Sequence, residues 1–256
     1  MNRRTFLQAA GTAAVAAAKA DETAPRTRYY RMETLLLEFG DQMTRVHDFV
    51  SQGFLPAARK AHPGPMLFMD AIVAPHMPQY VMLIGSASAE DALELYSKLH
   101  AQEGYSAAVE KWESGPTPPY AQAINTLLET ADYSPEIAIT EPAKQPRIFE
   151  LRTYHSPTWR QLGALHRRFA GREIPIFHRH GIHPLLYATT VFGNNVPNLT
   201  YLIPFDDLAA REKAWAGFGS DPEWAAVRKE SVANNGEITP VIQISLFRAT
   251  AYSPIR

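Results

Sequence analysis

The chain contains no cysteine in its 256 residues. This excludes disulfides, thiolate metal sites, CxxCH haem attachment and cysteine nucleophiles together. Net charge is nearly absent too: 25 Lys and Arg stand against 26 Asp and Glu, a formal charge of -1. Such a balance gives no electrostatic hold on nucleic acid or on an anionic membrane. After the first twenty residues, charge or Pro interrupts every apolar stretch well short of the roughly 20 residues a membrane helix needs. G-x-S-x-G, Walker A, H-E-x-x-H and G-x-G-x-x-G are also missing with their required context, so hydrolase, kinase and nucleotide-binding readings lose their usual support. An apolar fraction of 46% with 20% charged residues is that of a soluble protein with a sizeable core.

Residues 1–20 have the layout of a twin-arginine export leader. Arg3 and Arg4 are consecutive, Phe6 and Leu7 follow at the motif's spacing, and an Ala-rich run from Ala9 to Ala18 precedes the A-x-A sequence Ala18-Lys19-Ala20. The mature chain is expected to start near Asp21, with residues 21–28 as a short lead-in. Periplasmic or secreted location follows, without stable membrane insertion after cleavage. Export of folded chains by this route is compatible with a preloaded cofactor and does not require one.

The remainder repeats itself. Tyr30-Arg31-Met32-Glu33-Thr34-Leu35 corresponds to Phe149-Glu150-Leu151-Arg152-Thr153-Tyr154, 119 residues on, and the same offset links Pro56 to Pro175, Leu83-Ile84 to Leu202-Ile203, Tyr96 to Trp215 and Tyr105 to Trp224. It links Tyr133-Ser134-Pro135 to Tyr252-Ser253-Pro254 as well. Each copy therefore spans about 105 residues, 29–135 and 148–254, joined by a Pro-containing linker at 136–147.

Hydrophobic periodicity within the second copy predicts a strand over 148–155 and a helix over 158–179, with Gly181 as its C-cap. Strands follow over 183–192 and 199–205, a helix is capped by Asp206 or Asp207, another starts at Pro222, and a closing strand covers 238–248. That β-α-β-β-α-β order is ferredoxin-like. A lone unit leaves one sheet face bare, so the expected fold is α+β: two tandem units closing an intrachain, pseudo-dimeric α+β barrel.

The second copy's F-E-L-R-T-Y at 149–154, H-G-I at 180–182, F-G-N-N at 192–195, L-I-P-F-D-D-L-A-A-R-E-K-A-W at 202–215, D-P-E-W at 221–224 and terminal Y-S-P resemble the NIPSNAP family. The first copy reads as a diverged relative that has lost H-G-I and D-P-E-W. The resemblance implies a dimeric α+β barrel fold without an established chemistry. Fold relatives include cofactor-independent monooxygenases, haem proteins and small binding modules, so fold alone assigns no activity.

Two groups of residues are candidates for function. On the first strands, Arg31 corresponds to Glu150 and Glu33 to Arg152, opposite signs at equivalent positions. Strand alternation puts Glu150, Arg152 and Tyr154 on one face. If the apolar face packs under the helices, these four charges point into the barrel and neutralise one another at the seam between copies. They form either a seam or a polar site for a small anionic or hydroxylated ligand, with Tyr154, Tyr201 and Trp215 as core or pocket lining. The second group, His178, His180 and His183, is a weaker metal or haem candidate, set against a capping role at a helix C-terminus. No cofactor is otherwise expected. The leading function is binding of a small molecule or protein partner, with oligomerisation open; the alternative is a cofactor-independent oxygenase- or isomerase-like enzyme using the barrel cavity.

Overall fold

The computed structural model describes residues 26–137 and 147–256. Residues 1–20, expected to be an export leader, and most of the linker lie outside them. In the first copy, β1 (Tyr29–Leu36) leads to α1 (Gln42–Phe49), a π-helical turn (Val50–Phe54) and α2 (Leu55–Ala61), then β2 (Met66–Val73), β3 (Gln79–Ser86), α3 (Ala89–His100), α4 (Tyr105–Glu113) and β4 (Gln122–Thr130). The second copy supplies β5 (Ile148–His155), α5 (Trp159–Arg168), a π-helical turn (Phe169–Glu173) and α6 (Ile174–Arg179), then β6 (Leu186–Phe192), β7 (Asn198–Phe205), α7 (Leu208–Gly219), α8 (Pro222–Asn235) and β8 (Val241–Ala249).

Eight antiparallel strands close a barrel in the order β1-β3-β2-β8-β5-β7-β6-β4. Each copy contributes four adjacent strands, and the halves are stitched by β2 to β8 and β4 to β6. Closure buries both sheets' inner faces and removes most free edges. Tyr30, Leu83 and Leu128 from one half meet Phe149, Leu202 and Phe247 from the other, all 3% exposed or less. The helices cover the barrel from outside, giving each copy its own sheet–helix layer.

Local sequence accounts for the element ends. The Asp207 carboxylate caps α7 by accepting from Ala210 N, and Asp221 caps α8 by accepting from Glu223 N and Trp224 N, with Pro222 at the first helical position. After α6, Gly181 adopts φ +77° while its N–H donates to His178 O and that of Ile182 to Phe177 O. This is the paired closure that favours glycine.

Three expectations change. The long helix over 158–179 is interrupted by a π-helical turn. The strand expected from 183 starts at Leu186, and the one expected from 238 starts at Val241, because Ile238 is a buried plug whose carbonyl accepts from Ser156 Oγ. The third change concerns the first strands. Alternation holds, but the faces are reversed: Phe149 and Leu151 point into the barrel, whereas Glu150, Arg152 and Tyr154 point outward beneath the helices. The charges therefore do not meet across the seam. The barrel interior takes the face without charged groups, with polar residues there, Thr153, Thr190, Asn198 and Thr200, bonding to one another; the outer layer leaves long charged side chains room to reach partners.

Candidate functional site

In the second copy, Glu150 on β5 is fully buried and accepts from Arg152 Nε at 2.5 Å, Arg211 Nε at 2.6 Å and Trp215 Nε1 at 3.0 Å. The Arg152 guanidinium lies 3.7 Å from the Trp215 ring centroid and donates through Nη1 to the Tyr154 hydroxyl. One carboxylate thus has two cations and an indole N–H as partners, which is the condition for keeping a charge out of water. The first copy reproduces this with signs exchanged along the strand. Glu33 accepts from the Tyr96 hydroxyl at 2.6 Å and pairs with Arg31 at 3.7 Å, and Arg31 stacks over Tyr96. Each charge pair is closed within its own copy.

Deeper in the second layer lies a set of polar residues of which the sequence reading named Tyr154 and Tyr201 and missed Arg168, Glu173 and Tyr187. Glu173 ends the π-helical turn, is 1% exposed and accepts from Arg168 Nε at 2.7 Å. Burial pushes its pKa up to about 7, with Arg168 and Arg152 opposing the shift. The rings of Tyr154, Tyr187 and Tyr201 pack here around Phe169. The hydroxyls of Tyr187 and Tyr201 are buried without a hydrogen-bond partner. The available signal was Glu173 itself, a carboxylate four residues from each of Phe169 and Phe177 on an otherwise apolar helical stripe.

The first copy holds the apolar counterpart of this layer. At the same offset of 119, Tyr154, Arg168, Glu173, Tyr187 and Tyr201 are replaced by Leu35, Phe49, Phe54, Phe68 and Met82, all in the first copy's core. Beside the polar version opens a cavity of about 540 Å³ lined by Tyr154, Arg168, Trp224, Arg228, Thr239 and Ile242 among others. Arg168 lies over Trp224 at 5.1 Å, and among the described residues Arg228 has no carboxylate partner.

The three histidines do not converge. His178 and His183 stack on one another with ring centroids 4.8 Å apart, while His180 turns to Asp221, its Nε2 2.7 Å from Oδ2. Bonds from His180 and Arg179 hold the Asp221 carboxyl well below the usual range. Gly217 makes room for this, since a Cβ there would stand 2.7 Å from His180 Nδ1. The H-G-I and D-P-E-W motifs therefore meet as a clasp between the end of α6 and the start of α8. Among the described residues no group of three or more His, Asp or Glu is placed to hold a metal ion. The three histidines therefore do not meet at one point, and no helix among the described residues is long and apolar enough to cross a membrane.

Comparison with known proteins follows the same division of the chain. A candidate monooxygenase from Lactobacillus acidophilus is 10% identical, with 87% of this chain and 94% of its own covered at a TM-score of 0.52. An anthrone oxidase-like protein is 12% identical, with coverages of 88% and 92% and a TM-score of 0.54. A NIPSNAP family protein of unknown function from Agrobacterium tumefaciens is 17% identical over 46% of this chain and 100% of its own, at a TM-score of 0.40. No curated protein matches the sequence. At these identities structural likeness speaks for the fold alone. The described residues thus have the fold of dimeric α+β barrel proteins, and residues 149–254 match the NIPSNAP family.

Proposed function

We propose that this chain binds a small, partly apolar molecule in the sheet–helix layer of its second copy, entering by the cavity at Tyr154, Arg168, Trp224 and Arg228. One observation carries the reading: the same layer is built twice, once apolar and once polar. Leu35, Phe49, Phe54, Phe68 and Met82 demonstrate that the fold needs no polar group at these places. Burying Arg168, Glu173 and three tyrosines instead costs stability, most where the Tyr187 and Tyr201 hydroxyls have no partner. Such a cost is characteristic of a site with a ligand to meet. The cavity's volume is in the range of small-molecule sites, and its indole, phenol and aliphatic groups, with two guanidinium groups against the single carboxylate of Glu237, suit a planar apolar body carrying an anionic or hydroxyl group. Following the leader at residues 1–20, we place this activity outside the cytoplasm.

A second reading, proton transfer on the bound molecule, is favoured by Glu173, whose pKa near 7 suits a general acid or base at neutral pH. The oxidase and monooxygenase names of the fold neighbours are compatible with it but belong to those proteins.

Titration with 2-naphthoate and 1-naphthol, followed by intrinsic fluorescence, tests the site. Saturable quenching is expected, with Trp224→Phe removing most of the signal and Arg228→Gln weakening naphthoate more than naphthol. If neither compound binds at millimolar concentration, or if Tyr187→Phe/Tyr201→Phe and Arg228→Gln both leave affinity unchanged, the reading is wrong.

A further inference from the structure

The barrel closes incompletely at the start of β8. β5 covers one edge of this strand along its whole length, from Val241 opposite His155 to Arg248 opposite Ile148. On the other edge β2 reaches only Leu246 to Ala249. The outward N–H and C=O groups within 241–245 therefore have no partner strand among the described residues, and Val241, Ile242 and Ile244 are exposed by 52%, 45% and 41%. Exposed edges of this kind recruit other strands, and proteins ordinarily blunt them with charge, Pro or a bulge.

The first copy provides the comparison. β4 also extends beyond its partner, since β6 pairs only with Leu127 to Thr130. Its free stretch, Gln122-Ala123-Ile124-Asn125-Thr126, carries one branched aliphatic residue where Val241-Ile242-Gln243-Ile244-Ser245 carries three. On the outer face the β4 edge presents Ala123 and Asn125, and the β8 edge Ile242 and Ile244. From Val241 to Phe247 the β8 sequence, V-I-Q-I-S-L-F, holds no charge and no Pro.

We propose that the free β8 edge is the docking site for a second copy of this chain, strand against strand. An antiparallel pair of β8 strands about a two-fold axis at Gln243 sets Ile242 of each chain opposite Ile244 of the other, and Val241 opposite Ser245. Both isoleucine pairs lie on one face, because Ile242 and Ile244 sit opposite Tyr154 and Arg152 in the β5 ladder. The segment is thus complementary to itself in this register. The contact is isologous and closes at two chains. Strand addition also satisfies the open backbone groups that an apolar ligand or a helical partner would leave unmet. Ile242 borders the cavity at Tyr154, so the partner strand runs alongside its mouth.

Sedimentation equilibrium of residues 21–256 over a broad concentration range tests this. The wild type is expected to dimerise reversibly. Ile242→Lys/Ile244→Lys places like charges opposite one another across the two-fold axis and should shift the chain to monomer with an unchanged far-ultraviolet circular dichroism spectrum. Ile242→Lys/Ile244→Glu, which faces each Lys with the partner's Glu, should recover the dimer. Circular dichroism of all three separates a lost interface from a lost fold. A wild type that stays monomeric, a dimer indifferent to the double lysine, or assembly that grows beyond two chains overturns the proposal. These outcomes do not depend on naphthoate or naphthol binding.

Discussion

The hydroxyl of Tyr252, near the end of the second copy, stands 2.8 Å from Nδ1 of His47 in the first. The reciprocal contact joins Tyr133 of the first copy to Nδ1 of His166 in the second, also at 2.8 Å. Beside them, Ser253 Oγ accepts from Phe68 N and Ser134 Oγ from Tyr187 N. Each Tyr-Ser-Pro segment is therefore built into the other copy, and the repeat's last motif fastens the two halves. Tyr133→Phe is expected to cost about 1 kcal/mol by removing one hydrogen bond. Tyr252→Phe should cost nearer 2 kcal/mol, because the Tyr252 hydroxyl also meets that of Tyr80. Urea unfolding of the two variants gives the comparison.

Glu150 is the carboxylate on which the second copy's charge network depends. Glu150→Leu leaves Arg152 and Arg211 without it in a layer largely closed to water, for an expected loss of about 3–5 kcal/mol. Glu150→Gln, which keeps the shape and one acceptor, should lose less. Equal losses from the two, measured by denaturant titration, would show that packing rather than charge pairing sets the cost.

Glu173 gives stability a direction in pH. Its folded pKa of about 7 lies above the unfolded value near 4.5, so between these limits the folded chain holds more of this proton than the unfolded chain. Its contribution is fully present below about pH 4.5 and falls as pH rises towards 7. Relative to Glu173→Gln, the wild type should therefore lose stability across that interval by up to roughly 3 kcal/mol. Thermal unfolding in a series of buffers reads the difference, and parallel profiles would place Glu173 at an ordinary pKa.

The unpartnered tyrosine hydroxyls predict an exchange of stability against binding. Tyr187→Phe and Tyr201→Phe each remove a buried, unsatisfied polar atom while keeping the ring contacts with Phe169, and each should stabilise the free protein by roughly 1 kcal/mol. The same changes should weaken ligand binding, a combination expected of a functional residue and not of a packing one.

The export proposal rests on Arg3 and Arg4. Replacing both by Lys should leave full-length precursor in the cytoplasm of a host with a working twin-arginine pathway, whereas the unaltered leader sends the shortened chain to the periplasm. Fractionation and immunoblotting decide between them; unchanged distribution would count against this leader.

Much of the fold was legible because it rests on local chemistry repeated twice. Strand alternation at 148–155, the caps at Asp207, Asp221 and Gly181, and the offset of 119 all recur in the structure. The candidate site was legible only in part. Glu150, Arg152, Tyr154, Tyr201 and Trp215 do occupy one layer, yet which way the strand faced was not readable, since alternation gives two faces without saying which meets the helices. Arg168 and Tyr187 attracted no notice because neither is unusual in its own segment.

The sequence by itself determined that there are two copies, their order of elements and the division of the first strands into an apolar and a charged face, because these follow from periodicity and backbone preference along a few neighbouring residues. Only the tertiary structure decided that the charges lie outside the barrel and stay within their own copies. It alone separated His180 from His178 and His183, and brought Glu173 among the tyrosines. Those outcomes depend on which surfaces are most completely removed from water and on contacts between residues tens of positions apart, which no local pattern encodes.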